Sequence, residues 1–242
     1  MKKLLLILIV FAGCSKQQMD DCFTSLGKTT TVSRQLEKFN KISVSDRISL
    51  TIKQDTIKAG LIEVTAPANL IGQITSDVNE NALSLENTNT CNFVRNFDYS
   101  INITAYVSDL VQLDIKSIAT IKSVDTLYLD NLNIYHYALS NVDLLIDCNE
   151  IFVQSLNSAS TILKGKSRVL KGSIEEISDL DARELLCEEV LLDSHTPLDC
   201  YLNATKGLFI KIYNTGNVYY LNEPTDYKEL NVRRSSGNLL KL

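Results

Sequence analysis

Short segments in which apolar and polar residues alternate run through residues 41–107. They read ISVSD, ISLTIK, LIEVTA, ALSLEN and INITAYV. A period of two places successive side chains on opposite faces of an extended chain, which predicts half-buried β-strands. Turn-forming stretches such as Lys58-Ala59-Gly60 separate the segments, and no segment keeps a helical period over three turns. The pattern therefore predicts an all-β protein.

From residue 113 onward the pattern becomes a repeat with a period of about 19 residues, in the range of known repeat architectures. Its units begin at Leu113, Leu132, Ile151, Leu170, Val190, Leu208 and Leu230. Their third positions are Ile115, Ile134, Val153, Gly172, Leu192, Ile210 and Val232. All but Gly172 are branched aliphatics, which indicates a buried face, whereas the intervening positions are mostly polar and should face solvent.

One unit of this length cannot bury its apolar face alone. Stacking successive units about 4.8 Å apart would pair their backbones and join their side chains into one core. The sequence therefore predicts a parallel β-helix or β-solenoid, with irregular strands over residues 41–107 and regular repeats over residues 113–242. A twisted β-sandwich is the structural alternative, because evenly spaced strands also suit that fold.

The N-terminal segment, MKKLLLILIVFAG at positions 1–13, has the layout of a secretory signal peptide. Lys2 and Lys3 precede a nine-residue apolar stretch that ends in small residues. As a helix, nine residues would span about 14 Å, well short of the roughly 30 Å hydrocarbon core of a bilayer. We therefore expect this segment to direct export.

The cleavage region, Phe11-Ala12-Gly13-Cys14, resembles the lipobox of bacterial lipoproteins, in which lipid is attached to the cysteine sulfur. Phe11 stands where Leu is usual. We expect Cys14 to be lipidated, residues 14–30 to form a tether and residues 31–242 to form a single domain. Localisation would be the cell envelope, at the outer membrane, with periplasmic and surface exposure both open.

The five other cysteines have different surroundings. Cys22 and Cys91 lie in polar, loop-like segments, and we expect them to form a disulfide in the oxidising compartment. Cys148, Cys187 and Cys200 lie in apolar runs and are expected to be buried thiols. Cys148 and Cys187 would sit two coils, or about 9.6 Å, apart, beyond the reach of a disulfide.

Charge and residue spacing exclude several kinds of site. The net charge is −5; removing Lys2 and Lys3 with the signal peptide leaves 22 basic against 29 acidic side chains, or −7. An acidic surface repels phosphate backbones, so nucleic acid is not expected as a partner. No CxxC occurs and His136 and His195 are the only histidines, so neither a metal nor a cofactor is expected.

Two groups of residues could suggest catalysis. Asp193-Ser194-His195 has the residue types of a triad, but a triad is defined by geometry rather than adjacency. Four aspartates near the repeat turns could form a row of carboxylates of the kind used by glycosidases; they are Asp143, Asp179, Asp181 and Asp199. A solvated polar edge is the simpler interpretation, and we expect no catalytic residue.

Four tyrosines are the candidate ligand contacts. Tyr135 is predicted to point outward, and Tyr137, Tyr213 and Tyr220 lie at or near turns. Aromatic rings on a flat sheet can stack on sugars. The alternative, which we favour, is that these rings pack against one another across strands.

Several elements of the sequence match a known pattern. They are Asp21-Cys22-Phe23 with Ser25 and Gly27; Arg34, Leu36 and Phe39 ahead of ISVSDRISLTIKQD; the segment VTAPANLIGQITSDVNENALSLEN; Thr90-Cys91-Asn92-Phe93-Val94-Arg95; and NTGNVYY followed by Glu223-Pro224. Over about residues 21–242 the chain resembles the exported bacterial family named putative auto-transporter adhesin, head GIN domain. Gly-rich turns are weaker here, since Ala119, Asn141 and Asp179 stand where Gly is common. The resemblance implies a parallel β-helix-like body on the exported side of the envelope, and no catalytic residue.

These observations favour a lipid-anchored envelope protein with a non-catalytic binding or adhesin-like role. The ligand would be a glycan or a surface protein. One alternative is a carbohydrate-active enzyme built on a β-helix, and another is a structural envelope protein without a ligand. Unpaired strands near the C-terminal segment NLLKL would allow self-association through the end of the solenoid.

Overall fold

The computed structural model describes residues 26–89, 99–232 and 236–242, which are almost entirely β-structure. A 3₁₀ turn at Ile71–Gln73 is the only helical segment in these ranges. The strands are β1 (Thr29–Gln35), β2 (Lys41–Val44), β3 (Ile48–Gln54), β4 (Leu61–Pro67), β5 (Ile74–Asn79), β6 (Ala82–Asn87), β7 (Ile101–Val107), β8 (Gln112–Ile115), β9 (Ala119–Ser123), β10 (Leu127–His136), β11 (Asn141–Ser155), β12 (Ser160–Glu175), β13 (Asp179–His195), β14 (Cys200–Leu202), β15 (Ala204–Ile212), β16 (Val218–Tyr220), β17 (Tyr227–Val232) and β18 (Leu239–Lys241).

The strands wind into a parallel β-solenoid, which confirms the predicted fold class. About six turns follow one another at a spacing of roughly 20 residues. Strand β11 pairs in parallel with β10 and β12, and β13 pairs in the same way with β12 and β15. Each coil therefore uses the backbone of the next as its hydrogen-bond partner, as expected for stacked repeats.

Three parallel sheets surround the core in the central coils. The first sheet contains β2, β8, the C-terminal parts of β10 to β13, then β15 and β17. The second contains β3, β9, the N-terminal parts of β11 to β13, then β14, β16 and β18. The third is formed by the start of β10 and the middle of β11 to β13.

Inward positions of the first sheet form the aliphatic columns that the repeat predicts. Leu132, Ile151, Leu170, Val190 and Leu208 align from coil to coil and are no more than 1% exposed. The intervening outward residues, such as Asp193 and Lys211, are at least partly exposed. The alternation thus assigns the two faces of these strands correctly in the central coils.

The coil register differs from the prediction at both ends of the repeat. Leu113 pairs with Ile134, two residues beyond the predicted Leu132. Leu208 pairs with Lys228, so Leu230 lies beside Ile210 and is 46% exposed in the last coil. A slip of two residues keeps every side chain on the same face, so the apolar pattern cannot detect it.

Parallel stacking begins earlier in the chain than the repeat suggests. Strands β2 and β3 form a coil that pairs with β8 and β9 on one side. On the other side the same coil pairs with β6 and β7, which come later in the sequence. The first coil is therefore inserted between two others, and only from β8 onward does the stack follow chain order.

Antiparallel strands close the N-terminal end. β5 pairs with β6, while β1 pairs with β4 and β4 with β7. The side chain of Arg34 links the two groups, because its guanidinium donates to the carbonyl oxygens of Ile71 and Ile74 and to the hydroxyl of Ser76. Such a cap shields the edges of parallel strands that would otherwise remain unpaired.

Charged side chains occupy the C-terminal end. Lys228 lies at the inward position next to Leu208, and its Nζ donates to the hydroxyl of Tyr220 and to Glu223. Lys241 Nζ lies 3.8 Å from the Glu223 carboxylate. Inward-pointing charges at a sheet end are a recognised protection against edge-to-edge pairing, and they disfavour a second copy stacking on this end.

Asparagine side chains join successive coils at the turns. The Nδ2 atoms of Asn157, Asn203 and Asn214 donate to carbonyl oxygens 19 or 20 residues earlier in the chain. The acceptors are the carbonyl of Tyr137, in a turn, and those of Arg183 and His195, in β13. These contacts hold the turns of neighbouring coils in register.

The cysteines at positions 148, 187 and 200 are buried free thiols, as predicted. Cys148 pairs with Ser167, and Ser167 with Cys187, so the two cysteines are two coils apart. Cys14, Cys22 and Cys91, together with the proposed signal peptide, lie outside the described residues. In the described part of the chain, no helix has the length and apolar character needed to cross a membrane.

Gly165 allows a close approach between two coils. Its φ is +105°, and a Cβ at this position would lie 2.0 Å from the carbonyl oxygen of Ile146. A bulge between β12 and β13 lies just before it. The position thus requires glycine for both its backbone conformation and its space.

We expect Gly165→Ala to lower the free energy of unfolding by about 2 kcal/mol or more, because the coils must separate and the backbone is strained. Gly72→Ala is the matched control, since a Cβ there meets no atom within 4 Å. Its effect should stay within about 0.5 kcal/mol. Urea denaturation measures both; equal stability of the two variants would contradict this account.

Candidate ligand-contact surface

An aromatic cluster lies on the outer side of the first sheet. Tyr135 and Tyr137 stack with ring centroids 6.2 Å apart, and Tyr135 meets Phe152 of the next coil edge-on at 6.0 Å. Tyr137 is 39% exposed and Tyr135 is half-buried. Burial, the neighbouring Tyr135 and the Asp114 carboxylate raise the pKa of the Tyr137 phenol. The cluster thus presents a rigid, neutral, partly exposed aromatic surface.

Tyr213 does not join this cluster. It lies on the same edge of the first sheet but four coils away from Tyr137, or about 19 Å at the coil spacing. Its ring stacks on His195 with centroids 4.0 Å apart and an interplanar angle of 5°. One face of the Tyr213 ring is therefore already covered by the protein.

Tyr220 is inside the protein, contrary to the prediction that it offers an exposed ring. Its side chain is 5% exposed, and its hydroxyl donates to Glu223 and accepts from Lys228. Strand alternation explains this, because Val218 and Tyr220 both point inward and only Tyr219 between them points out. Tyr220 therefore leaves the set of candidate contacts.

The second sheet carries an aromatic ladder that the sequence analysis missed. Tyr201 and Tyr219 stack at 5.3 Å, and the Arg183 guanidinium covers the far side of Tyr201 at 4.1 Å. Arg183 in turn makes an ion pair with Asp181. The signal was available, because Tyr201 and Tyr219 occupy the same outward position of adjacent repeats.

A groove of about 340 Å³ crosses the outside of the third sheet. Cys148, Ser167 and Cys187 form its floor, and Lys166, Arg168, Leu186 and Glu188 stand beside them. Burial raises the pKa of both thiols. They are therefore protonated at neutral pH and unsuited to act as nucleophiles.

The predicted row of carboxylates divides between two neighbouring columns of the second sheet. Asp179 and Asp199 belong to one column, and Asp143 and Asp181 to the other, two coils apart. Asp143 pairs with Lys164, and Asp199 accepts the backbone N–H of Asn217. These two carboxylates therefore form an ion pair or a hydrogen bond with groups on the neighbouring coil.

The pKa values of Asp179 and Asp181 are shifted in opposite directions. Burial raises the pKa of Asp179. Partial burial alone would raise the pKa of Asp181 as well, but the hydrogen bonds from Arg183 outweigh it and lower that pKa. Two carboxyl groups whose pKa values are shifted apart suit acid–base chemistry. Here, however, the Asp181 carboxylate already accepts hydrogen bonds from the Arg183 guanidinium.

The described residues contain no group of three or more side chains able to hold a metal ion. The two histidines show why. His195 stacks on Tyr213 on the outer face of the first sheet, whereas the His136 side chain points inward and is fully buried. Ser194, the third residue type of the suggested triad, points inward and away from the His195 ring. The structure therefore does not assemble Asp193, Ser194 and His195 into a triad.

Comparison with known proteins identifies the family. The family model described as "Putative auto-transporter adhesin, head GIN domain" matches residues 38–224. The chain belongs to this family. No curated protein matches the sequence.

Solved structures share the GIN-domain fold over nearly the whole chain. A structure from Bacteroides fragilis NCTC 9343, described as a putative adhesin, has 22% identity and a TM-score of 0.80, and the alignment covers 89% of this chain and 97% of that one. Two structures from Parabacteroides distasonis ATCC 8503 each have 15% identity and cover 89% of this chain. One is described as a putative adhesin (TM-score 0.64, 98% of its chain) and the other as a putative lipid binding protein (TM-score 0.63, 97% of its chain).

The buried imidazole of His136 makes the fold sensitive to acid. Its ring nitrogens face the hydroxyls of Thr161 and Ser140, and burial lowers its pKa to about 4. The unfolded chain has the ordinary pKa of about 6.5 and so takes up a proton first as the pH falls. Stability contributed by neutral His136 is therefore complete above about pH 6.5 and is lost progressively down to about pH 4.

We expect this residue alone to reduce the free energy of unfolding by about 2 kcal/mol between pH 7.5 and pH 5. His136→Gln, whose amide can meet the same hydroxyls, should remove most of that acid sensitivity. His195→Gln, at the surface, is the control and should retain it. Chemical denaturation at both pH values checks the prediction. It fails if the free energy of unfolding falls by the same amount between pH 7.5 and pH 5 in His136→Gln and in His195→Gln.

Proposed function

We propose that this GIN-domain chain is a lipid-anchored protein of the cell envelope with a non-catalytic, adhesin-like binding role. Cys14 in its lipobox-like segment supplies the membrane anchor, and Cys22 with Cys91 forms a disulfide near the tether. The outer membrane is the membrane we propose. The membership in an adhesin-like family and the similar structures described as adhesin or lipid binding proteins support a role in contact with a surface ligand.

The observation that carries the binding role is the aromatic cluster of Tyr135, Tyr137 and Phe152. These rings are held by strands of two adjacent coils that are fixed by parallel pairing, so their positions change little when a ligand arrives. A rigid aromatic surface loses little entropy on binding. Rings of this kind suit the apolar face of a sugar or an apolar side chain of a surface protein.

Two alternatives remain distinguishable by experiment. The opposite pKa shifts of Asp179 and Asp181 are the feature that favours a carbohydrate-active enzyme. Turnover on a panel of polysaccharides, lost in Asp179→Asn, would establish that activity. A structural role without a ligand would be favoured if neither glycans nor surface proteins bind.

We expect wild-type protein to incorporate palmitate label and to fractionate with the membrane, whereas Cys14→Ala should do neither, because the acyl chains are the only anchor in this account. Cys148→Ala, which removes a buried thiol, is the control and should remain labelled. Protease treatment of intact cells then separates surface from periplasmic exposure. Label on Cys14→Ala would contradict the anchor, and complete protection of the wild type would contradict adhesion.

Binding to glycan and surface-protein arrays tests the aromatic cluster. The double variant Tyr135→Ala/Tyr137→Ala should lose at least about tenfold in affinity for any ligand found, because aromatic anchors carry much of the binding energy at such sites. Tyr219→Ala, which removes a partly exposed stacked ring from the second sheet, is the matched control. Equal losses in both variants would show that the cluster is not the contact surface.

A further inference from the structure

A line of exposed aliphatic residues follows the corner at which the first sheet turns into the second. Four residues form this corner in each central coil, between the columns Ile115–His136–Ser155–Ile174–Ser194 and Thr120–Asn141–Ser160–Asp179–Asp199. The third corner residue points to solvent. We define the corner ridge as Ile118, Leu139, Ser158, Ile177 and Pro197, together with Leu198.

The exposure of the ridge is large for side chains of this type. Leu139 is 63% exposed, Ile177 is 61% and Ile118 is 46%. Single exposed aliphatic residues are common on protein surfaces, but several aligned along one corner, with only the small Ser158 between them, form the kind of apolar surface found at interaction sites. The ridge spans five coils, or about 19 Å along the solenoid.

The order of residues along the ridge is close to palindromic. Ser158 lies at the centre, Leu139 and Ile177 flank it, and Ile118 and Pro197-Leu198 lie at the two ends. A two-fold axis through the level of Ser158 would place Leu139 against Ile177 of a second copy. It would also place the small Ser158 side chain against its own counterpart, where two corners can approach closely. Self-complementarity of this kind is what an isologous interface requires.

The charges beside the ridge select the direction of the second copy. Four carboxylates flank its C-terminal half, on Glu175, Glu176, Asp179 and Asp199. The N-terminal half is flanked by Arg47, Lys116 and Asp46, and by the neutral donors Thr120 and Asn141. Parallel alignment would bring like carboxylates together. Antiparallel alignment places the acidic half of each copy against the half of the other in which Arg47 and Lys116 outnumber Asp46.

We propose that two copies of this chain associate side by side and antiparallel through the corner ridge. In this arrangement Asn141 faces Asp179 of the second copy, and Thr120 faces its Asp199. The contact is narrower than a standard protein interface, so association is weak and depends on concentration. It uses the side of the solenoid, not the C-terminal end, where Lys228, Lys241 and Glu223 are clustered.

Cysteine cross-linking in cells expressing the full chain tests this geometry. Ser158→Cys lies on the two-fold axis and should form a disulfide-linked dimer on mild oxidation, above the level of the wild type with its natural cysteines. Leu139→Cys alone and Ile177→Cys alone should not. Coexpression of these two variants with different tags should give a mixed dimer that carries both tags.

Each other pattern overturns the proposal. Cross-linking of every single variant to itself would indicate parallel packing. Leu240 is 39% exposed in the last strand. A cross-linked dimer of Leu240→Cys, with none of Ser158→Cys, would indicate association through the C-terminal end of the solenoid. No dimer above the wild-type level would exclude the interface.

A second set of variants checks that the ridge itself drives association. Leu139→Asp or Ile177→Asp, introduced into the Ser158→Cys chain, should reduce the dimer at least about fivefold while leaving the melting temperature unchanged, because both side chains are exposed. Ile57→Asp is the control, since Ile57 is 95% exposed and lies away from the ridge. Equal dimer in all three would contradict the proposal. Tyr137 belongs to the same corner as Leu139 but is unchanged in every variant. The cross-link is measured without added ligand, so the dimer can fail to form while the proposed binding role still holds.

Discussion

Parallel backbone pairing between successive coils is the interaction on which the rest of the structure depends. No single coil contains enough apolar surface to form a core, so each is ordered only because its N–H and C=O groups are satisfied by the coils on either side. This pairing fixes the coil spacing, aligns the inward aliphatic residues into columns and excludes water from between them. The fully buried positions of Leu132, Ile151 and Leu170 are a direct consequence.

The same constraint determines what the surface can offer. Outward side chains also align from coil to coil, so rings that recur in the sequence stack on each other, as Tyr201 and Tyr219 do. Such stacking stabilises the sheet but covers the ring faces that could meet a ligand. The cluster around Tyr137 and the corner ridge matter for this reason: both keep apolar surface exposed on a rigid frame. The sides of the solenoid are therefore better suited to recognition than its ends, which are capped at one end by antiparallel strands and at the other by charges.

Much of this architecture can be predicted from the sequence because the relevant physics is local. Alternation of apolar and polar residues identifies the strands and their buried faces, and the regular recurrence of paired aliphatic positions identifies the stack. Register is a different matter, because a two-residue slip leaves the pattern intact: the repeat aligns Leu113 with Leu132, whereas its partner is Ile134. The insertion of β2 and β3 between coils from later in the chain is a long-range arrangement with no local signal.

The candidate site shows the same division. Strict alternation in NVYYL predicts that Tyr219 points outward and Tyr220 inward, as the structure has them. The position of Tyr220 near a turn predicts its exposure less well than this alternation does. Burial of His136 also follows from alternation, since Ile134 is inward and Tyr135 outward. Alternation within a strand cannot predict which outward residues of separate coils come together. The ring contact of Tyr135 with Phe152, and the alignment of Leu139 with Ile177 along one corner, both require the register.

Hydrogen–deuterium exchange resolved along the chain tests the central claim most directly. If each coil is stabilised by its neighbours, amides of β11, β12 and β13 in the middle of the stack should exchange most slowly. Protection should decrease toward β17 and β18, which within the described residues pair with a strand on one side only. Equal protection of the last coil and the central coils would contradict the account, because it would mean that stability does not depend on stacking.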